Sequence, residues 1–454
     1  MDLIAKVLGR LAMVAGAALV LYLGVVIATG TLAAVSGTSA RPPGAAADVR
    51  NAKSNRALFL RGRRIFRFDT FGDQAFWGGA LQLHRAIAGR RNGGIGPGVS
   101  PKTALAVGLK VDATAVPKAT AAAIKAGNVN LNDPKVTLAL LKLNAVVGVK
   151  GFFNRRGRLT SMGITCAVCH STVDDSFSPG IGRRLDGWPN RDLNIGAVIG
   201  LAPSKKPIID LLGVDERTVD RVLASWGPGK FDAALFLDGK AFRPDGKTAA
   251  TLIPPAFGLA GVNLATYTGW GTVTYWNAFV ANLEMHGRGN FDDDRLDDAR
   301  QFPVAARNRF GHVRNRRDLI TSKLPALHFY QLAIPAPKPP RRYFNAAAAR
   351  RGRAIFNGKG RCQTCHMQPK GTQTGWNLVT PAEICTDAFA AGRSATGRYR
   401  TTPLDGIFAR SKRGFYHDGR YPTLRSVVEH YDSCQNLKLT PREKVDLVQY
   451  LRSR

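Results

Sequence analysis

The sequence predicts a mainly α-helical protein of two related units, the first enlarged by insertions, behind an N-terminal membrane helix. Three observations carry that expectation. The pattern Cys-x-x-Cys-His occurs twice, as Cys166-Ala-Val-Cys169-His170 and as Cys362-Gln-Thr-Cys365-His366. The segment ahead of the second copy, Arg351-Gly-Arg-Ala-Ile-Phe356, echoes Arg61-Gly-Arg-Arg-Ile-Phe66. An uncharged apolar run from Leu11 to Ala28 follows Lys6 and Arg10.

The apolar run continues more weakly to Val35. A secretory signal core spans about 7–15 residues and a membrane-crossing helix needs about 17–25, so length favours an uncleaved anchor over residues 1–35. Basic residues on its N-terminal side keep that end in the cytoplasm. The expected location is therefore the inner membrane, with the rest of the chain facing the periplasm. The alternative is a soluble periplasmic protein after cleavage near Ala45-Ala46-Ala47. Residues 36–50, rich in Ser, Gly, Ala and Pro, read as a flexible tether.

The first unit is expected over residues 51–340 and the second over 341–454. The boundary is the stiff segment Pro335-Ala-Pro-Lys-Pro339-Pro340. Cys362 follows Phe356 closely, whereas a long insertion separates Phe66 from Cys166. In the second unit Leu424, Val427, Val428 and Tyr431 fall at helical spacing. Thr440-Pro441-Arg442-Glu443 is a capping box with proline at the first helical position. It opens a terminal helix expected to bury Val445, Leu447, Val448 and Leu451. Sustained strand alternation is scarce.

Cys-x-x-Cys-His is the attachment pattern of c-type haem. The two thiols add to the two vinyl groups of one porphyrin, and the adjacent histidine becomes the proximal iron ligand. Two complete copies predict two covalently bound haem c groups, on Cys166, Cys169 and His170 and on Cys362, Cys365 and His366. A thioredoxin-type pair would not need the histidine twice. A four-cysteine zinc site would leave both histidines unexplained. Covalent attachment takes place outside the cytoplasm, in agreement with the N-terminus. There the remaining cysteines, Cys385 and Cys434, are expected to form a disulfide.

The chain carries 65 Lys and Arg against 32 Asp and Glu, a formal net charge of +33. No nucleic-acid motif accompanies it, so the expected partners are an acidic redox protein and anionic lipid head groups, not nucleic acid.

A sixth ligand separates an electron-transferring iron from one that meets a substrate. After Met367 the second unit contains no methionine. The remaining donors there are His417, His430, Tyr399 and Tyr416. His417, in a Gly-bounded loop, is the expected distal ligand, which gives His170, His366 and His417 as the metal ligands. In the first unit the downstream donors are Met285, His286, His312 and His328. One reading makes Met285 or His286 the ligand. The other, preferred, leaves the iron open, with Tyr275, Trp276 and Phe291 lining a distal catalytic pocket. Trp276 is also a candidate electron relay between the haems.

Several segments together resemble the dihaem cytochrome c peroxidase superfamily, which includes the methylamine-dehydrogenase maturation enzyme and the rubber oxygenases. They are Gly352 to Phe356 leading into Cys362–His366, Tyr399 to Leu404, Phe415 to Arg420, Thr423 to Tyr431 and, in the first unit, Leu185 to Asn190 around the first haem motif. The resemblance covers the second unit end to end. It implies two helical cytochrome c-type domains, one haem passing electrons and the other meeting the oxidant. The long first unit looks more like the rubber-oxygenase branch. The expected function is thus periplasmic electron transfer of peroxidase type, with haem 1 as the oxidant site and haem 2 as the electron-transfer haem. The alternatives are a pure electron carrier and an oxygenase acting on an apolar substrate.

Overall fold

Gly62 and Gly352, the glycines of the sequence echo, sit at two helix crossings of the same kind. The computed structural model describes residues 54–454; the predicted membrane anchor and tether lie outside the described residues. Helix Arg56–Phe68 packs against helix Leu324–Leu332, and helix Ala346–Asn357 packs against helix Pro441–Arg452. A Cβ on Gly62 would overlap the Ala326 carbonyl and crowd Tyr330, and one on Gly352 would overlap the Asp446 carbonyl and crowd Tyr450. Four residues on from Gly62 and from Gly352, Phe66 and Phe356 are almost fully buried. Each meets the tyrosine of its crossing, Tyr330 at 5.5 Å and Tyr450 at 5.0 Å. The echo therefore encodes one packing solution used twice: a glycine lets two helix backbones meet, and a phenylalanine fills the space beside it.

Gly62→Ala and Gly352→Ala should each destabilise the fold by about 1–3 kcal/mol, the usual cost of overpacking. Chemical denaturation measures this. Equal stability of both variants and the parent would show that the crossings tolerate a methyl group.

The described residues are mainly helical, with only short two-stranded pairings. Between the first crossing helix and Cys166 lies the predicted insertion. It holds helices Leu83–Ala88, Pro101–Ala106, Lys118–Lys125 and Pro134–Lys142, followed by a hairpin of Val149–Phe153 with Leu159–Ile164. That hairpin delivers the chain to Cys166. The described residues belong to one compact unit. Inside it one large apolar cluster runs from Ile65 to Ile334, and a separate one joins Phe356, Leu404, Val428, Leu447 and Leu451. No helix among the described residues is long and apolar enough to cross a membrane.

The terminal helix starts where the sequence places it. The Thr440 hydroxyl accepts from the Glu443 amide, and the Glu443 carboxylate accepts from the Thr440 amide. Its buried face is Leu447, Val448, Tyr450 and Leu451, whereas Val445 is exposed. The contact with Gly352 at Asp446 and Tyr450 sets the rotation of the helix, and at about 3.6 residues per turn Val445 falls on the far side. Cys385 and Cys434 are disulfide-bonded across a separation of 49 residues, which by chain entropy stabilises the fold by about 4 kcal/mol.

Candidate functional site

Cys166, Cys169 and His170 lie on a single turn, with helix Ala167–His170 directly after the hairpin. The ring of His170 bonds the Pro254 carbonyl through Nδ1 at 3.1 Å. A carbonyl only accepts, so Nδ1 carries the proton and Nε2 keeps its lone pair for a metal. Around Cys362, Cys365 and His366 the arrangement repeats: Nδ1 of His366 donates to the Gly371 carbonyl at 2.8 Å. Burial pushes both imidazoles down to about 4, so both are neutral bases at pH 7. It pushes the Cys166 and Cys169 thiols up to about 12 and Cys362 to about 11. Such surroundings suit uncharged thioether sulfur rather than metal-bound thiolate. The donor set thus fits covalent haem at both motifs.

The first motif opens on a cavity of ≈ 320 Å³ with mainly apolar walls. Both π-helical segments among the described residues, Ala75–Ala80 and Val280–Glu284, contribute to those walls; such segments are frequent at functional sites. Trp276, Val280 and Glu284 line the cavity at four-residue spacing along helix Val273–Phe279 and its continuation. The Trp276 indole N–H has no hydrogen-bond partner. Tyr275 and Phe291, expected beside Trp276, do not line the cavity. They pack with Phe279 in an aromatic cluster behind it. The reason is helical phase together with Asp293, which accepts the Tyr275 hydroxyl at 2.5 Å and holds that ring away from the cavity.

Sequence reasoning missed Glu284. Its carboxyl is deeply buried beside the cavity, and Oε2 has no hydrogen-bond partner. Burial, reinforced by Asp232, raises its pKa well above the ordinary 4.5, which favours the protonated form. The available signal was a glutamate eight residues after Trp276, a spacing that shares one helix face. Met285 and His286 also border the cavity. The Met285 carbonyl accepts from the Trp77 indole at 3.1 Å, and the His286 ring stacks on Phe76 at 3.7 Å. Burial alone holds His286 neutral, with its pKa pushed down to about 4. His312 and His328 are engaged elsewhere, by Asp297 and by Thr274.

In the C-terminal part, His417 is buried and its Nε2 has no partner. The ring stacks on Tyr399 at 5.2 Å and meets Tyr267 at 6.4 Å. Cys365 packs against the small cluster of Val379, Ala391 and Tyr399, so the ring on which His417 stacks belongs to the cluster beside the second attachment motif. The Tyr399 hydroxyl is committed to the Asp387 carbonyl at 2.9 Å. His430 is committed at both nitrogens, to Tyr421 and to the Ile384 carbonyl. Met367 is 42% exposed, as its place directly after His366 suggested. The Tyr416 hydroxyl interacts with that of Tyr431, and the Tyr416 backbone is left-handed at φ 68°.

No protein-family model matches the chain, and no curated protein matches it. Solved structures that match include a MauG-like protein associated with microbial copper homeostasis, at 14% identity and TM-score 0.30, covering 48% of this chain and 77% of that one. Another is the hydrazine synthase of Kuenenia stuttgartiensis, at 18% identity and TM-score 0.26, covering 47% of this chain and 76% of the other.

Proposed function

We propose that the protein is a periplasmic dihaem cytochrome c with peroxidase-type activity, built of haem domains over residues 51–340 and 341–454. The observation that carries this reading is the pairing at the first motif: a neutral, backbone-oriented His170 beside a cavity that holds a protonated, unpartnered Glu284. The repeated helix crossing and the repeated histidine–carbonyl bond support two domains of one type.

Haem bound at each motif supplies a one-electron redox iron. The chain's own residues do the rest. His170 and His366 would hold the metal through Nε2, and His417 would supply a further ligand at the second site. The apolar walls around Trp276 and Phe279 limit water at the first site. Two-electron reduction of hydrogen peroxide consumes two protons and yields two waters, the electrons coming from a redox partner through the second site. Glu284, uncharged and next to the cavity, is placed to give the first proton to the departing oxygen and to be reprotonated afterwards. The excess of positive charge favours an acidic electron donor.

One observation favours a second reading, an electron carrier without substrate. His286 borders the same cavity as a neutral imidazole and is a competent sixth ligand. Low-temperature electron paramagnetic resonance of the oxidised protein separates the two. The peroxidase reading expects one high-spin and one low-spin ferric haem, with His417→Ala converting the low-spin signal to high spin. Two low-spin haems, one becoming high spin in His286→Ala, would establish the carrier instead.

A further inference from the structure

Arg393 shows how this fold treats a buried guanidinium. Its Nε and Nη2 bond the two oxygens of Asp238 at 2.7 and 3.0 Å, and Nη1 pairs with Asp232 at 3.0 Å. Three neighbouring arginines have no such arrangement. Arg191 is 5% exposed; its Nε and Nη1 have no partner, and Nη2 reaches only the Tyr267 hydroxyl, at 3.4 Å. Arg410 is 8% exposed; its Nε has no partner, and Nη2 meets only the Pro403 carbonyl. Arg400 borders the cavity of the first motif and bonds only the carbonyls of Thr266 and Leu264. No ion pair among the described residues includes any of the three. The nearby Asp405 is taken by Arg454 at 2.7 Å.

These cations also face one another. Arg191 and Arg400 both repel Arg410, and burial pushes Arg400 and Arg410 down to about 10. A group of buried like charges without counter-charge is unstable unless an anion completes it. Position indicates which anion. Arg400 lines the cavity beside Cys166–His170. Arg410 bonds the carbonyl of Pro403, whose neighbour Leu404 packs against Gly371, the residue that accepts from His366 Nδ1. Planar guanidinium donors match carboxylates. A haem carries two propionate carboxylates, so two haems bring four.

We propose that Arg191, Arg400 and Arg410 form a shared propionate-binding site between the two attachment motifs. Arg400 holds the propionates of the group at Cys166–His170, Arg410 those of the group at Cys362–His366, and Arg191 completes the cluster beside Tyr267. The proposal rests on the two-haem reading above.

The test uses the full-length protein and Arg400→Met, Arg410→Met and the matching lysine variants. Intact mass counts haems, spectroelectrochemistry gives each midpoint, and resonance Raman reads the propionate-bending bands. Loss of a cation beside a haem favours the oxidised form. Each methionine variant should therefore shift the oxidised-to-reduced ratio of its own haem about tenfold, ~59 mV for one electron, and move that haem's propionate band. Lysine should restore most of the midpoint but not the band. Two-haem variants with unchanged midpoints and bands would overturn the proposal, and the arginines would then hold only a solute anion. If the methionine variants do not fold, the wild-type bands decide: coincidence with those of a hydrated haem peptide would overturn it. A wild-type protein lacking two haems would instead sink the two-haem reading.

Discussion

Replacing Cys166 and Cys169 together by alanine should leave one covalent haem where the parent carries two, and should remove most of the stability of the N-terminal half. The two thiols line a ≈ 320 Å³ cavity whose walls come from the largest apolar cluster among the described residues and, through Leu237, Trp270 and Phe279, from a second one. An unfilled cavity costs about 24 cal/mol per Å³, so losing the group that fills this one should cost on the order of several kcal/mol. That is comparable with the whole stability of an ordinary domain, about 5–15 kcal/mol. The variant should therefore melt well below the parent and be cleaved readily by protease between residues 54 and 340. The double replacement of Cys362 and Cys365 is the internal comparison, since it should also leave one haem. Mass spectrometry of native protein checks the count. Recovery of two haems from the Cys166/Cys169 variant would refute covalent attachment there.

Glu284→Gln should lower peroxide turnover about 10²–10⁴-fold, the usual contribution of a positioned general acid, while leaving haem content unchanged. In the parent, turnover should fall as pH rises through the raised pKa of Glu284, above the ordinary 4.5. The same shift makes a stability prediction of defined sign. The folded state keeps a proton on Glu284 that the unfolded chain releases near the ordinary value of 4.5. Stability therefore falls as pH rises above that value. Glutamine has no proton to lose, so the variant should be the more stable protein at pH 7, and the difference should vanish below about pH 4. Undiminished turnover would remove Glu284 from the chemistry. An advantage independent of pH would show that the carboxyl is not held neutral by burial.

Much of this architecture is legible in the linear sequence. The two Cys-x-x-Cys-His motifs are contiguous, and the haem attachment proposed for them would bring both thiols and the histidine to one porphyrin within a single turn, so the spacing carries that proposal whole. The capping box at Thr440 and Glu443 is equally local. The pairing of Cys385 with Cys434 followed from counting what the motifs left over. The echo around Gly62 and Gly352 was visible as a string, although only the helix crossings show what it is for: close backbone approach, encoded by the absence of a side chain.

What the sequence did not settle are the features that depend on side-chain direction between distant segments. Tyr275, Trp276 and Phe291 read alike as aromatic residues near one helix, yet Trp276 alone among them borders the cavity, because Asp293 captures Tyr275. Glu284 reads as an ordinary glutamate until folding surrounds it with apolar residues from several parts of the chain and withholds a cation. The arginines at 191, 400 and 410 vanish in a sequence with 65 basic residues; burial without a carboxylate sets them apart, and burial is a property of packing. Local covalent chemistry is written in neighbouring residues, so the sequence by itself determined the residues at which covalent attachment is proposed. The electrostatics of a cavity arise from desolvation by residues far apart in the chain, so only the tertiary structure decided what stands around them.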